Sequence, residues 1–262
     1  MIGRALTIAG SDSGGGAGVQ ADLKTFSAFG VYGMSVITSV TAQNTVKVYG
    51  ITGMEPKFVG LQFEAVLTDI GIDGVKTGML YNAEIVQTVA SKLRENPIMH
   101  VVVDPVMVAK GGDRLLKTNA IEIFKKELIP AATLITPNLP EAELLAGISI
   151  RSEEDIRDAA EKIKNLDCQA VLIKGGHFKG DLAVDLLFDG ETFTEFKSER
   201  IDSRNTHGTG CTYSAAILSN LIKGCSMIEA IRVSKSYITE AISHAFSLGK
   251  GYGPLNHFVT VP

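Results

Sequence analysis

The stretch His100-Val101-Val102-Val103-Asp104 is a continuous apolar run that ends in a carboxylate. A run without polar alternation is typical of a strand buried on both faces, as in the centre of a parallel sheet. Helical patterns flank it at 83–95 and 118–128, and apolar runs alternate with helical patterns along the rest of the chain. Strands that alternate with long helices predict an α/β fold, with a mainly parallel sheet covered by helices on both faces.

The other predicted elements follow the same alternation. Strands are predicted at 5–9, 34–42 with an extension over 46–54, 74–79, 133–136 and 170–174, and a hairpin is predicted at 183–188 and 191–196. Helices are predicted at 17–29, 56–70, after Pro140, at 152–166 with Ser152 as N-cap, at 209–223 and at 227–247. Since no linker or repeat divides the 262 residues, we expect one domain over 1–262.

Composition narrows the class of protein. The net charge of −4 provides no basic surface, which argues against nucleic acid as the main partner. The first residues lack a signal-peptide core, and no apolar stretch approaches the roughly 20 residues of a spanning helix. The three cysteines, Cys168, Cys211 and Cys225, are odd in number and widely spaced, so we expect neither disulfides nor a metal cluster. These features predict a cytoplasmic protein without a membrane partner.

A glycine-rich segment, Thr206-His207-Gly208-Thr209-Gly210-Cys211-Thr212, opens a long apolar helix. Free N–H groups at a helix start, together with the helix dipole, favour an anion. A phosphoryl group that gains charge during transfer fits such a site. The same sequence is equally compatible with a plain turn followed by a helix that a threonine caps. Cys211 would have a lowered pKa at this helix start and could act as a base or nucleophile, or it could simply pack the helix. His207 is left open between a functional and a loop residue.

A second glycine-rich loop, 10–18, joins the first strand to the first helix. It matches neither the dinucleotide fingerprint Gly-x-Gly-x-x-Gly nor the Walker A loop, which ends in Gly-Lys-Ser/Thr. We interpret it as a close approach of backbone to a small ligand, with Asp12 or Asp22 as polar contacts. Stabilisation of the turn is the competing role for Asp12.

Further polar residues follow the predicted strands, where ligands bind in parallel sheets. The candidates at this edge are Asp12, Gln43, Thr77, Asp104, Asn138, Glu141 and Lys174. Asn138 and Glu141 suit Mg²⁺, directly or through water, and equally suit a helix cap. A carboxylate after an apolar strand needs a partner, so we expect a metal or cation at Asp104. Lys174 could neutralise phosphate or pair with one of these carboxylates.

These segments in order resemble one family over essentially the whole chain. The segments are 5–12, 14–18, 20–26, Ala42-Gln43-Asn44-Thr45, 76–80, Asp104-Pro105-Val106-Met107, 136–141, Lys174-Gly175-Gly176-His177, 206–212 and 251–257. They are similar to the hydroxymethylpyrimidine/phosphomethylpyrimidine kinases of thiamine biosynthesis. Each motif alone is modest, whereas their order is highly specific.

The resemblance implies a ribokinase-like three-layer sandwich that is usually dimeric. It implies phosphorylation of 4-amino-5-hydroxymethyl-2-methylpyrimidine and then of its monophosphate, with ATP and Mg²⁺. The residues carried over for the pyrimidine are Gly10, Asp12, Ala17, Gln43 and Met79. Those for ATP, its phosphates and the metal are Asp104, Asn138, Glu141, Lys174 and Thr209. On the long C-terminal helix, Lys235 is a further candidate for the adenine pocket. Gly208, Thr209 and Gly210 would form the anion hole, Lys174 would assist catalysis, and the Cys211 thiolate would accept the hydroxyl proton.

Three other functions compete with this one. A pyridoxine or pyridoxal kinase has the same fold and chemistry on a pyridine ring. A dinucleotide-dependent oxidoreductase is suggested by the first glycine-rich loop, although its fingerprint is broken. A non-catalytic ligand-binding module would keep the pocket, but the retained charged residues argue against such decay.

Overall fold

The computed structural model describes residues 2–107, 118–175 and 181–262, so the predicted motif residues Gly176 and His177 lie outside the described residues. The strands are β1 (Arg4–Asp12), β2 (Tyr32–Gln43), β3 (Val48–Gly53), β4 (Gly74–Thr77), β5 (His100–Val103), β6 (Leu134–Ile135), β7 (Val171–Lys174), β8 (Leu182–Phe188) and β9 (Phe193–Glu199). The α-helices are α1 (Gly18–Ala28), α2 (Pro56–Asp69), α3 (Ala83–Glu95), α4 (Thr118–Ile123), α5 (Leu139–Ala146), α6 (Glu153–Lys164), α7 (Thr209–Ile222) and α8 (Met227–Ser243). A π-helical turn, Phe124–Leu128, and a 3-10 turn, Ile129–Ala131, follow α4 directly.

The described strands form one sheet in the order β3-β2-β1-β4-β5-β6-β7-β8-β9. The six strands from β2 to β7 in this order pair in parallel, and β3, β8 and β9 pair antiparallel. The predicted mainly parallel sheet is therefore confirmed.

Two strand predictions at the sheet edges are wrong in detail, because an Asx turn intervenes in each case. The segment 46–54 does not extend β2; it turns back as β3, since the Asn44 side chain accepts hydrogen bonds from the N–H groups of Val46 and Lys47. The second hairpin strand runs over 193–199 because the Asp189 carboxylate holds residues 191 and 192 in the turn.

Apolar residues fill both faces of the sheet and produce three layers. Helices α2, α3, α5 and α6 pack on one face, where Phe63 and Ile163 are buried. Helices α1, α7 and α8 pack on the other, where Phe26 and Tyr237 are buried. Along β5, Val101 and Val103 face the first layer and Val102 the second. Burial on both faces explains why this strand has no polar alternation.

The layered arrangement is the α/β sandwich that the sequence predicts, and it brings the carboxyl ends of the parallel strands to one edge. In the described part of the chain, no helix is long and apolar enough to cross a membrane.

Candidate active site

A cavity of about 720 Å³ opens at the carboxyl edge of the sheet. Its lining includes every residue that the sequence analysis assigns to substrate, phosphate or metal: Gly10, Asp12, Ala17, Gln43, Met79, Asp104, Asn138, Glu141, Lys174, Gly208, Thr209, Gly210, Cys211 and Lys235. Asp22 and Thr77, which were also candidates, are buried and lie outside this lining. The topology thus brings loops that are far apart in the sequence to one concave site.

The loop after β1 is held in shape by the Asp12 carboxylate. One oxygen of Asp12 accepts from the N–H of Gly14 at 2.8 Å, and the other accepts from Gly16 at 3.1 Å and Ala17 at 2.9 Å. Burial raises the pKa of Asp12. The interactions with His207 and the hydrogen bonds from this backbone together lower it by more, so the pKa lies below its usual value. Asp12 therefore stabilises the turn as an anion.

The expected ligand contact at Asp22 is replaced by an ion pair. Both carboxylate oxygens of Asp22 lie 2.9 Å from Nζ of Lys76, and both side chains are fully buried. Burial lowers the pKa of Lys76, but the charges of Asp22, Cys211 and Asp104 and the hydrogen bond to Asp22 together raise it above its usual value. Burial raises the pKa of the Asp22 carboxyl as well, against the effect of the Lys76 charge. Lys76 also interacts electrostatically with Cys211 and Asp104. Sequence reasoning missed this pair, although a lysine inside the strand Val75-Lys76-Thr77 indicates a buried partner.

The start of α7 forms a cradle that only glycine permits. Gly208 is the N-cap of α7 with φ +86°, and a Cβ there would lie 1.8 Å from the carbonyl oxygen of Gly16. The Thr209 hydroxyl donates to the Thr206 carbonyl at 2.8 Å, and the Thr209 N–H donates to the same carbonyl at 3.4 Å. The next N–H groups of this first turn have no carbonyl partner one turn back in the helix. This geometry suits an anion.

A charged pair stands directly against that cradle. Nζ of Lys174 lies 2.9 Å from Oδ1 of Asp104, the residue directly after β5. A Cβ on Gly210 would lie 3.3 Å from Nζ of Lys174 and 3.5 Å from Oδ2 of Asp104. Burial lowers the pKa of Lys174, but the charges of Asp104 and Glu141 raise it by more. An ammonium therefore faces the helix start, where it can meet an anion.

Asn138 and Glu141 form a capping box at the start of α5. The Asn138 side chain accepts from the Glu141 N–H at 2.9 Å, and the Glu141 carboxylate accepts from the Asn138 N–H at 2.9 Å. Burial raises the pKa of Glu141 to about 7, with Lys174 lowering it and Asp104 raising it.

Asp104 and Glu141 are the carboxylates at this edge that could hold Mg²⁺. Among the described residues no group of three or more His, Cys, Asp or Glu side chains could hold a metal. Mg²⁺ ordinarily uses one or two carboxylates and completes its shell with water and phosphate oxygens. Asp104 and Glu141 are two buried carboxylates close enough that the charge of Asp104, added to burial, raises the pKa of Glu141, and they fit such a partial shell.

Cys211 lies in the first turn of α7, beside the N–H of Gly18. Burial raises the pKa of its thiol to about 11, although the Lys76 charge lowers it. The expected lowering of the pKa at a helix start is therefore wrong, because burial and the nearby charges of Asp22 and Asp104 outweigh it.

Lys235 borders the far end of the cavity on α8. Its Nζ lies 2.7 Å from Oδ2 of Asp185, which also accepts from the Tyr213 hydroxyl at 3.0 Å. The other Asp185 oxygen accepts from the Gly175 N–H at 3.1 Å. Asp185, the common partner of α7, α8 and the end of β7, was not predicted from the sequence. Ile238 and Ile242 add apolar surface beside Lys235.

His207 joins two loops at the other end of the cavity. Its Nε2 lies 2.8 Å from Oδ2 of Asp12 and 3.3 Å from Nε2 of Gln43. It is therefore part of the site rather than a plain loop residue.

Comparison with known proteins identifies the family. The phosphomethylpyrimidine kinase family matches residues 12–256. The hydroxymethylpyrimidine/phosphomethylpyrimidine kinase of Bacillus subtilis (strain 168) is 48% identical over 256 residues, with 97% of this chain and 94% of that protein covered. The thiamine biosynthesis bifunctional protein ThiED of Geobacter sulfurreducens is 53% identical over 98% of this chain, which spans about half (52%) of that relative.

A solved structure gives the same result for the fold. A Bacillus subtilis pyridoxal kinase in an ADP complex has a TM-score of 0.92 and 42% identity, over 98% of both chains. The ribokinase-like architecture is thus established, and the chain belongs to the phosphomethylpyrimidine kinase family.

Proposed function

We propose that the protein transfers phosphate from ATP to 4-amino-5-hydroxymethyl-2-methylpyrimidine and then to its monophosphate. The observation that carries the proposal is the Lys174 ammonium, which faces the glycine cradle at the start of α7 inside the cavity. The family match and the names of the full-length relatives support the substrate. The test is incubation with ATP and the pyrimidine, with the mono- and diphosphate products separated by chromatography; ADP release without either product would contradict the proposal.

The two ends of the cavity suit the two substrates. We assign the acceptor to the end lined by Gly10, Ala17, Gln43 and Met79, and the adenosine to the end near Lys235 and Ile238. The phosphates would then lie between Lys174 and the free N–H groups in the first turn of α7. Phosphoryl transfer needs alignment and charge neutralisation more than covalent chemistry, and this arrangement offers both.

Asp104, Glu141 and Asn138 would hold Mg²⁺, directly or through water. When bound, the ion supplies positive charge to the phosphate oxygens. The chain's own contribution is to keep these oxygens in place, through the capping box for Asn138 and Glu141 and through Lys174 for Asp104.

Cys211 is proposed as the acceptor of the hydroxyl proton, and its raised pKa of about 11 decides how this is tested. Since a base acts deprotonated, kcat under single-turnover conditions should rise about tenfold per pH unit below the pKa. Cys211→Ala should lower kcat about 100-fold and abolish that rise. Cys211→Asp should move the rise to lower pH, because a carboxyl has a lower intrinsic pKa than a thiol in the same surroundings. Undiminished kcat in the alanine variant would contradict the role.

A pyridoxal kinase is the second candidate, and the structural likeness to the Bacillus subtilis pyridoxal kinase supports it. A pyridine ring with a hydroxymethyl group requires the same cradle and the same ammonium. Rates on pyrimidine and pyridoxal substrates, measured side by side, separate the two functions.

We also propose that residues 1–262 act as one kinase domain, in the cytoplasm, as a homodimer. Apolar side chains exposed around β2 and β3, namely Tyr32, Val40, Val46 and Tyr49, support a partner on this edge. Sedimentation equilibrium should give twice the chain's mass, and the mass of a single chain would contradict the dimer.

A further inference from the structure

We propose that His207 is a positioning residue that turns the Gln43 amide to offer an N–H donor to the cavity, and so selects an acceptor alcohol whose ring carries a nitrogen lone pair. The inference rests on the proposed function, because it concerns the acceptor end of the same site. It adds His207, which acts on the acceptor through Gln43, and the requirement that the acceptor ring carries a nitrogen lone pair.

The first step is the position of the His207 proton. Nε2 of His207 lies 2.8 Å from Oδ2 of Asp12, whose oxygens already accept from the N–H groups of Gly14, Gly16 and Ala17. An ionised carboxylate only accepts hydrogen bonds, so the proton between the two atoms belongs to the imidazole. Asp12 thereby fixes the tautomer with a proton on Nε2, whether or not the ring is charged.

The second step is the orientation of the Gln43 amide. Its Nε2 is placed 3.3 Å from Nε2 of His207, and its Oε1 3.3 Å from Oγ1 of Thr41. Two N–H groups repel each other when they face at this distance. The oxygen and nitrogen of an amide are assigned from their hydrogen bonds. A rotation of 180° about the last side-chain bond of Gln43 exchanges the two atoms and removes this repulsion. Oε1 of Gln43 then shares the Nε2 proton that His207 donates to Asp12, as the longer arm of a three-centre hydrogen bond.

The amide nitrogen of Gln43 finds a new acceptor in this orientation. It faces Oγ1 of Thr41, whose hydroxyl proton is used on the Ser11 carbonyl at 3.0 Å, so that Oγ1 can accept an N–H from Gln43. One N–H of Gln43 is used on Thr41, and the second remains for the cavity that Gln43 lines. A ring nitrogen is the matching acceptor, whereas a C–H at the same place would leave a buried donor unsatisfied.

His207 can orient the amide because its own ring has little room to move. A Cβ on Gly16 would lie 2.6 Å from Cδ2 of the ring. The backbone N–H of His207 donates to the Gly253 carbonyl at 3.1 Å, and Gly208 follows directly in the chain. The residue that orients the acceptor contact is therefore next to the cradle for the phosphoryl group.

The test compares kcat/KM for the hydroxymethylpyrimidine with that for its benzyl alcohol analogue, in which C–H replaces the ring nitrogens. We expect the wild type to prefer the pyrimidine about 10- to 100-fold. His207→Phe should bring this ratio close to one and raise KM for the pyrimidine, while KM for ATP stays unchanged. His207→Gln, whose Nε2 reaches the same place, should restore the ratio, and the shorter His207→Asn should not.

Two results would overturn the inference. One is an unchanged ratio in a folded His207→Phe variant, or equal ratios in the Gln and Asn variants. The other is an additive effect of His207→Phe and Gln43→Leu on this ratio of kcat/KM values. A residue that acts on the ratio through Gln43 should have no further effect on it once Gln43 is replaced.

Failure of the proposed function is detected separately. Calorimetric binding of the two ring compounds without nucleotide does not depend on turnover. A preference of the wild type for the nitrogen ring that is lost in His207→Phe supports the inference even if no phosphate is transferred. Equal binding of both compounds, or no binding of either, overturns it.

Discussion

Replacement of Lys174 by methionine is expected to lower kcat by about 10²- to 10³-fold, the usual effect of removing one preorganised electrostatic contact. Lys174 is the ammonium that faces the cradle at Gly210. Methionine keeps most of the side-chain volume but removes the charge that neutralises the phosphates. KM for the pyrimidine should change little, because that end of the cavity is untouched. Rapid-quench kinetics with labelled ATP measures the effect on the transfer step.

The control for Lys174→Met addresses stability. The single variant leaves Asp104 buried without its partner, which should lower the free energy of unfolding by about 3 kcal/mol. In the double variant Lys174→Met/Asp104→Asn the buried charge is gone, so stability should largely return while kcat stays low. A folded single variant with kcat within about threefold of the wild type would contradict the assigned role of Lys174.

Gly208→Ala is expected to lower kcat at least about 100-fold and to destabilise the protein. The left-handed φ of +86° costs an alanine about 1–2 kcal/mol. In addition, the new Cβ would lie 1.8 Å from the Gly16 carbonyl oxygen, so the two loops must separate. Separation displaces the N–H groups at the start of α7. Thermal unfolding and steady-state kinetics on the same preparation measure both effects.

Gly224 at the other end of α7 is the matched control. Its φ is +90°, and a Cβ there would have no atom within 4 Å. Gly224→Ala should therefore show the conformational cost of about 1–2 kcal/mol without any loss of kcat. Equal kcat values for the two alanine variants would mean that the cradle does not contribute to the reaction.

Much of this fold was predictable, because it depends on local patterns. The apolar run 100–103 identifies a strand buried on both faces, and β5 has that position. Ser152 with Asp155, and Asn138 with Glu141, are capping boxes that their three-residue spacing predicts. The chain reversals at Asn44 and Asp189 depend on hydrogen bonds of their side chains, and the geometry of these bonds could not be predicted from the residue types alone.

The residues that line the site could be predicted from the sequence, but the ion pairs between its side chains could not. Strand ends gather polar residues at one edge, so its lining follows from topology. The partners Asp22–Lys76 and Asp185–Lys235 are 54 and 50 positions apart and depend on strand order and register. The pKa of Cys211 depends on burial, which no local pattern reports, and this is why a helix start alone suggested the wrong direction.

The cavity described above should serve the transfer of phosphate from ATP to a hydroxymethylpyrimidine. The most direct measurement is the ratio of kcat/KM values for the pyrimidine and for pyridoxal, with labelled ATP and the purified full chain. We predict labelled pyrimidine monophosphate, then diphosphate, and a ratio well above one. Label in pyridoxal phosphate alone, or in neither product, would contradict the claim.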